Sequence, residues 1–370
     1  PEADIIRSFH PDVVVDAILA KKNLGTRITD APFVIGVGPG FYAGKDCHCV
    51  IETKRGHTLG NVIWEKEAIP NTGVPGNIGG FTTERLIRAS ADGIMEPVAE
   101  IGDTVEKGQL VARTGKQPVY AKMSGIVRGM LQKDVQVTEG LKIGDIDARC
   151  EPEHCGTISD KARAVGGGVL EAVSLFGQIY GNYGVALLAA GEAKRFGSDK
   201  LSEKFQGIPL YRHALEKLEA FSGLSRVVVT AREALAEEAQ RLGIHIVENR
   251  QPEQGISHSV SLALQELLSQ NPDLEGVLFL VCDQPGIQAA TIQKILNEGC
   301  LHKNSIVCAG YDGMRGNPVL WGSTYFQELM HLTGDTGGRQ LMKQYEEKIR
   351  IVECAPEELK DIDRREDMTE

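Results

Sequence analysis

A chain of 370 residues has room for two or three domains at roughly 150 residues each, and 42% apolar with 25% charged residues is an ordinary globular composition. The net charge of −11 argues against general nucleic-acid binding, which favours a basic face, yet a local Lys/Arg cluster can still hold a small anion. No apolar run approaches the ~20 residues that span a bilayer, so no membrane partner is expected. The eight cysteines are scattered without a CxxC pair and read as reduced thiols, which places the protein in the cytoplasm. The chain opens at Pro1 without a methionine, so a preceding segment is expected and the absence of a signal peptide decides little.

Residues 1–88 read as an α/β segment. Val13-Val14-Val15 and Phe33-Val34-Ile35-Gly36-Val37 are apolar and β-branched, as buried parallel strands tend to be. The stretch 46–52 also reads as a strand, and period-2 alternation places Asp46, His48 and Glu52 on one face, with Cys47 and Cys49 on the other. With Arg55 and His57 following, His48, Glu52, Arg55 and His57 form a candidate polar or metal site. The alternative is a solvated strand face. The nearby Gly36-Val37-Gly38-Pro39-Gly40-Phe41 loop is not a P-loop, because Pro39 stands where the first glycine belongs and Asp46 replaces Ser/Thr.

Residues 89–150 contain an internal repeat. Ala91-Asp92-Gly93-Ile94 opens one copy, and thirty-two residues further on Ser124-Gly125-Ile126-Val127 opens a second. Short strands joined by Gly turns and duplicated predict a small β sandwich of two quasi-equivalent halves. This pattern resembles the biotinyl/lipoyl barrel-sandwich domain, whose hairpin carries a modified lysine. Here the hairpin is Arg113-Thr114-Gly115-Lys116-Gln117-Pro118 and lacks the Ala-Met-Lys-Met carrier sequence, so Lys116 reads as a solvated turn lysine.

Residues 151–182 hold a helix and a linker. Ser159 or Thr157 could cap the helix, and Ala162, Val165, Val169, Val173 and Phe176 form its apolar stripe. Gly166-Gly167-Gly168 lies inside it. Each glycine costs up to ~1 kcal/mol relative to alanine, so close backbone packing or a break in the helix should offset the run.

From 183 to 370 strands (185–190, 226–230, 244–247, 276–281, 305–309, 350–353) alternate with helices (209–220, 232–242, 259–270, 288–299, 337–346), which predicts a Rossmann-like, mostly parallel sheet covered on both faces. The first strand runs into Leu188-Ala189-Ala190-Gly191, followed by Arg195, Gly197 and Lys200. Small residues let backbone N–H groups approach phosphate oxygens, and Arg195 and Lys200 add positive charge. Strand 276–281 ends in Cys282-Asp283-Gln284-Pro285, where Asp283 could hold Mg²⁺ or cap the next helix. Gly334-Asp335-Thr336-Gly337 is a second Gly-rich turn, with Asp335 a weaker metal or substrate candidate, or an ordinary helix cap.

Together these motifs resemble the MobA-like nucleotidyltransferases, and within them the molybdenum cofactor cytidylyltransferases. Asp283-Gln284-Pro285, Gly316-Asn317-Pro318-Val319, Gly334-Asp335-Thr336-Gly337 and Asp361-Ile362-Asp363 match in order, Gly255-Ile256-Ser257-His258-Ser259 resembles the family's substrate-side loop, and Phe196 stands in place of the usual methionine. The guanylyl branch opens with Leu-Ala-Gly-Gly, whereas Ala190 precedes Gly191 here, which favours CTP over GTP. The resemblance implies Mg²⁺-assisted transfer of CMP from CTP to molybdopterin, with Arg195, Lys200 and Asp283 catalytic and Ser257, Asn317 and Asp335 on the substrate side.

The first 175 residues resemble the YqeB family, which accompanies selenium-dependent molybdenum hydroxylases. The likeness rests on Val15-Asp16-Ala17-Ile18, Val37-Gly38-Pro39-Gly40-Phe41, Ile51-Glu52-Thr53-Lys54-Arg55-Gly56-His57 and Ile158-Ser159-Asp160-Lys161-Ala162-Arg163. It implies a fused maturation factor with an apo-hydroxylase as recipient, and a Gly-rich half-domain that precedes these residues or lies in another fragment. Transfer from GTP or to another phosphate acceptor remains open, as does a non-catalytic carrier of the cofactor.

Overall fold

The computed structural model describes residues 3–71, 77–149, 151–191, 196 and 199–369. They fall into two compact units, one of Pro1–Thr53, Gly60–Ile69 and Gly167–Glu370, the other of Lys54–Leu59 and Pro70–Gly166. The expected 1–88 segment is therefore not a unit of its own. Most of it joins the C-terminal half, because its parallel sheet needs both faces covered.

The larger unit is built on a seven-stranded sheet. Its strands lie in the order His245–Glu248, Ser225–Thr230, Tyr183–Leu188, Gly276–Val281, Met314–Gly322, Ile306–Tyr311, Ile349–Glu353. Only Met314–Gly322 runs antiparallel to its neighbours. Successive side chains of the first strand enter opposite cores. Tyr183, Val185 and Leu187 pack with helices Leu210–Glu219 and Ala289–Leu301, while Ala186 and Leu188 pack with helix Ile256–Gln270. The sheet is thus covered on both faces, as the continuous apolar runs predict.

The antiparallel strand is not among the strands expected from the sequence, and Gly316 and Pro318 lie inside it. Proline is tolerated there through a break in register: Cys308 pairs with Val319 but Ala309 pairs with Gly316, so Asn317 and Pro318 bulge out of the ladder.

A second sheet of the same unit orders Val13–Asp16, Phe33–Val37, Cys49–Ile51 and Val62–Ile63, the first three parallel. Val34 and Val50 bury on one face with Phe41 and Cys47. On the other face Phe33 stacks on Phe176 of helix Asp160–Ile179, ring centroids 4.9 Å apart.

That helix begins where Ser159 was expected to cap it, with the Ser159 hydroxyl accepting the Ala162 N–H at 3.1 Å. Only one glycine of its run has a packing reason. A Cβ on Gly168 would lie 2.0 Å from the Gly60 carbonyl oxygen, whereas Gly166 and Gly167 meet nothing within 4 Å. Gly168→Ala should therefore cost about 1–3 kcal/mol, while Gly166→Ala and Gly167→Ala should each stabilise by up to about 1 kcal/mol. Urea midpoints of the three variants check this, and a common sign at all three positions would contradict it.

The smaller unit is the expected sandwich. One sheet orders Gln117–Tyr120, Leu110–Thr114, Gly93–Pro97, Gln136–Val137, and the other Leu86–Arg88, Lys142–Asp147, Gly125–Met130, Thr104–Val105. The repeat is expressed as reciprocal exchange: Val105 of the first copy pairs with Gly125 of the second, and Val137 of the second pairs with Gly93 of the first. Lys116 is exposed at the hairpin with a left-handed φ of 71°, as a turn residue.

Candidate functional site

In open α/β sheets ligands bind beyond the carboxyl ends of the strands, where the strand order reverses. Here the chain passes from Tyr183–Leu188 outward through Ser225–Thr230 to His245–Glu248, then returns to the other side of the first strand with Gly276–Val281. The reversal lies between Leu188 and Val281. A cavity of about 630 Å³ opens there, lined by Leu188, Ala189, Ala190 and Gly191 from the first strand's loop and by Val281, Cys282 and Asp283 from the second. Arg195 and Gly197, expected in the same loop, lie outside the described residues.

Lys200 enters this cavity on a short turn, Lys200–Ser202, and is almost fully buried. Its ammonium donates to Asp283 Oδ2 at 2.9 Å and stands 3.6 Å from Asp363 Oδ1. Asp283 does not cap the following helix, which starts at Ala289 after Gln288. Its backbone instead ties in the C-terminal segment: the Ile362 N–H donates to the Asp283 carbonyl, and Gln284 Nε2 donates to Asp361 Oδ1 at 2.8 Å. Two motifs nearly 80 residues apart in sequence thus become one acidic cluster around one lysine. Burial, followed by the charges of Asp283 and Asp363, raises the Asp361 carboxyl above the usual aspartate range. Such a donor set, with more negative charge than one lysine offsets, suits a cation. Among the described residues no three His, Cys, Asp or Glu side chains are grouped to hold a metal alone. A divalent ion here would need further oxygen ligands beyond these side chains.

The substrate-side residues are placed unevenly. Asp335 lines the cavity, but its Oδ1 accepts the Ile256 N–H at 3.4 Å, at the start of helix Ile256–Gln270. The helix begins earlier than the apolar pattern suggests, after Gly255, whose φ is 83°. A Cβ there would sit 2.6 Å from the Gly334 backbone. The earlier start rotates Ser257 into the interior, fully buried with an unpartnered hydroxyl, and it does not line the cavity. Ser259 lines it instead, its hydroxyl accepting from Asn249 Nδ2 at 2.9 Å. Helical periodicity from the right start would have found it. Asn317 sits on the bulge of the antiparallel strand and is not among the cavity residues.

The N-terminal polar residues do not form a site. His48 and Glu52 are each 1% exposed. His48 Nδ1 accepts the Val34 N–H at 2.9 Å, and Nε2 lies 2.6 Å from the Ala220 carbonyl oxygen. Glu52 accepts the N–H groups of Thr53 and Ile69. Arg55 and His57 belong to the smaller unit, where Arg55 pairs with Asp160. The solvated-face alternative fails too, since Cys47, His48, Cys49 and Glu52 are all buried. A strand covered on both faces defeats the period-2 reading. Burial pushes the Cys47 thiol up to about 12, so it is an inert core thiol.

Residues 185–349 match the family of MobA-like NTP transferase domains. The chain is 54% identical over 175 residues to YqeB of Escherichia coli (strain K12), which covers 47% of this chain and 32% of that protein. It therefore spans about a third of the length of that relative. It is 28% identical over 168 residues to the purine catabolism protein PucB of Bacillus subtilis (strain 168), covering 42% of this chain and 78% of PucB. Over 62 residues, 17% of this chain and 32% of the relative, it is 37% identical to a probable molybdenum cofactor guanylyltransferase of Thermococcus gammatolerans. No helix among the described residues is long and apolar enough to cross a membrane. The matched residues carry most of the cavity at the sheet's reversal point, so the C-terminal half of the chain is similar to the MobA-like NTP transferase domains both in sequence and in where its cavity lies.

Proposed function

We propose that this domain transfers CMP from CTP to the terminal phosphate of molybdopterin with Mg²⁺, as the cytoplasmic maturation step of a molybdenum hydroxylase. The observation that carries it is the convergence of Lys200, Asp283 and Asp363 on a cavity lined by Leu188 and the small residues Ala189, Ala190 and Gly191. The likeness to a probable molybdenum cofactor guanylyltransferase supports a molybdenum cofactor acceptor, and Ala190 before Gly191 supports the cytidylyl branch.

A phosphate oxygen of the acceptor attacks the α-phosphorus of the nucleotide, the bond to the β-phosphate oxygen breaks, and pyrophosphate leaves. Asp283 and Asp363 are the residues that would hold a Mg²⁺, and the ion would supply positive charge against the phosphates. Lys200, already desolvated, exchanges carboxylate for phosphate oxygens and stabilises the departing pyrophosphate, joined by Arg195. Asp335 and Ser259 flank the acceptor side. The N-terminal half, similar to YqeB, acts on or hands over the product to the apo-hydroxylase, with selenium or sulfur chemistry in that step.

GTP is the second reading, favoured by the guanylyltransferase likeness. Incubation of the protein with each NTP, Mg²⁺ and purified molybdopterin, read by pyrophosphate release, decides between them. Release with CTP is expected. Release with GTP alone moves the assignment to the guanylyl branch, release that needs a different phosphate acceptor removes molybdopterin, and tight cofactor binding with no release indicates a carrier.

A further inference from the structure

Arg232 follows the strand Ser225–Thr230, next to the cavity strand, and no sequence motif singles it out. Its guanidinium is spent wholly on the nucleotide loop. Nη1 donates to the Ala189 carbonyl at 2.6 Å, Nη2 to the Gly191 carbonyl at 3.1 Å, and Nε to Asp199 Oδ1 at 2.7 Å. The first two partners precede the loop's central residues and the third follows them. Asp199 is fixed in turn by Ser202, whose hydroxyl donates to Oδ2 at 2.6 Å, and Ser202 closes the turn that carries Lys200. The Arg232 backbone is held by Thr230, whose hydroxyl accepts its N–H at 3.0 Å.

We propose that Arg232 is a positioning residue that sets the direction of the phosphate-binding amides and the reach of Lys200. In a trans peptide the carbonyl and the following N–H point to opposite sides. Drawing the Ala189 carbonyl toward Arg232 turns the Ala190 N–H away from it, and Ala190 lines the cavity. The Thr230 hydroxyl also reaches the Ala189 carbonyl but at 3.4 Å, the longer and weaker of the two bonds, so without Arg232 the amide is freer to turn its carbonyl toward the phosphates, which repels an anion. Arginine suits the task because its planar fork presents several donors in fixed directions and keeps its charge. A lysine can satisfy one of these acceptors well but cannot span two carbonyls and a carboxylate. Arg232 touches neither phosphate nor metal in this role; it acts through the loop.

This inference rests on the nucleotide-site reading above. The test uses the full chain with Mg·CTP, Mg·GTP and Mg·tripolyphosphate as calorimetric probes, and steady-state turnover wherever the wild type turns over. Arg232→Ala should weaken triphosphate binding about ten- to a hundredfold, the loss expected when charge-assisted hydrogen bonds are removed. KM for the nucleotide should rise more than kcat falls, because the loop binds the ground state as well as the transition state. Arg232→Lys should recover only a small part of the loss, and free guanidinium at millimolar concentration should restore binding to Arg232→Ala but not to the wild type. Wild-type affinity in a folded Arg232→Ala protein, or a lowered melting temperature with affinity unchanged below it, overturns the positioning role. A wild-type protein that binds none of the three probes overturns the nucleotide site itself, and the inference with it.

Discussion

Asp283→Asn is expected to lower pyrophosphate release by about a hundred- to a thousandfold, with the fold intact. The substitution keeps the shape of the side chain and its backbone tie to Ile362, since that bond uses the Asp283 carbonyl. It removes one negative charge from a cluster in which Lys200 stands 2.9 Å from Asp283 and 3.6 Å from Asp363. The proposed metal then loses a carboxylate ligand, and Lys200 is drawn toward the remaining acid. A second signature separates this from general damage. Asp361 is held above the ordinary aspartate range by burial first and by the Asp283 charge second. In the variant its carboxyl should titrate lower, measurable by carbon-detected NMR. Unchanged turnover would remove Asp283 from the chemistry, and an unshifted Asp361 would deny that the three aspartates share one field.

The second large effect concerns stability and pH. His48 is fully buried, and its tautomer follows from its partners: Nδ1 faces the Val34 N–H and must accept, so Nε2 carries the proton given to the Ala220 carbonyl. A charged ring would set two N–H groups against each other and lose its water. Burial accordingly lowers its pKa from 6.5 to about 4. The folded value lies below the unfolded one, so the contribution is complete above pH 6.5. It is lost progressively as pH falls toward 4, while the unfolded chain takes up a proton that the folded chain refuses. The gap corresponds to about 3 kcal/mol. Chemical denaturation of wild type and His48→Gln across this range should show the variant less stable at pH 7 and less sensitive to acid. Parallel curves would show that His48 does not titrate in this way.

The position of His48 also shows why part of the chain was illegible. As a sequence, His48, Glu52, Arg55 and His57 form a polar run of the kind that builds metal sites. In the fold His48 joins the N-terminal sheet to Ala220 at the end of the Leu210–Glu219 helix, and Glu52 closes a turn on Thr53 and Ile69. Buried polar groups demand partners whether or not they do chemistry, and a strand alone does not reveal which elements supply them. The cavity serine has a similar history. Ser257 and Ser259 are indistinguishable until the helix start is known, and that start depends on Gly255 fitting against Gly334, a contact between distant loops.

What the sequence determined by itself was whatever local pattern encodes. Continuous apolar runs specified the sheet buried on both faces, the duplicated Gly turns specified the two-fold sandwich, and Ser159 specified the start of a helix. The Leu188–Gly191 loop and Asp283 could be placed at the ends of their strands from the apolar runs alone, and both line the cavity there. What only the tertiary structure decided was which distant groups meet. Folding carried Asp361 and Asp363 to Lys200, turned Arg232 onto the loop after Leu188, joined the N-terminal sheet to Ala220 through His48, and sent Asn317 and Pro318 into a bulge. Each depends on long-range packing and on the satisfaction of buried polar groups, and neither leaves a period or a spacing in the chain.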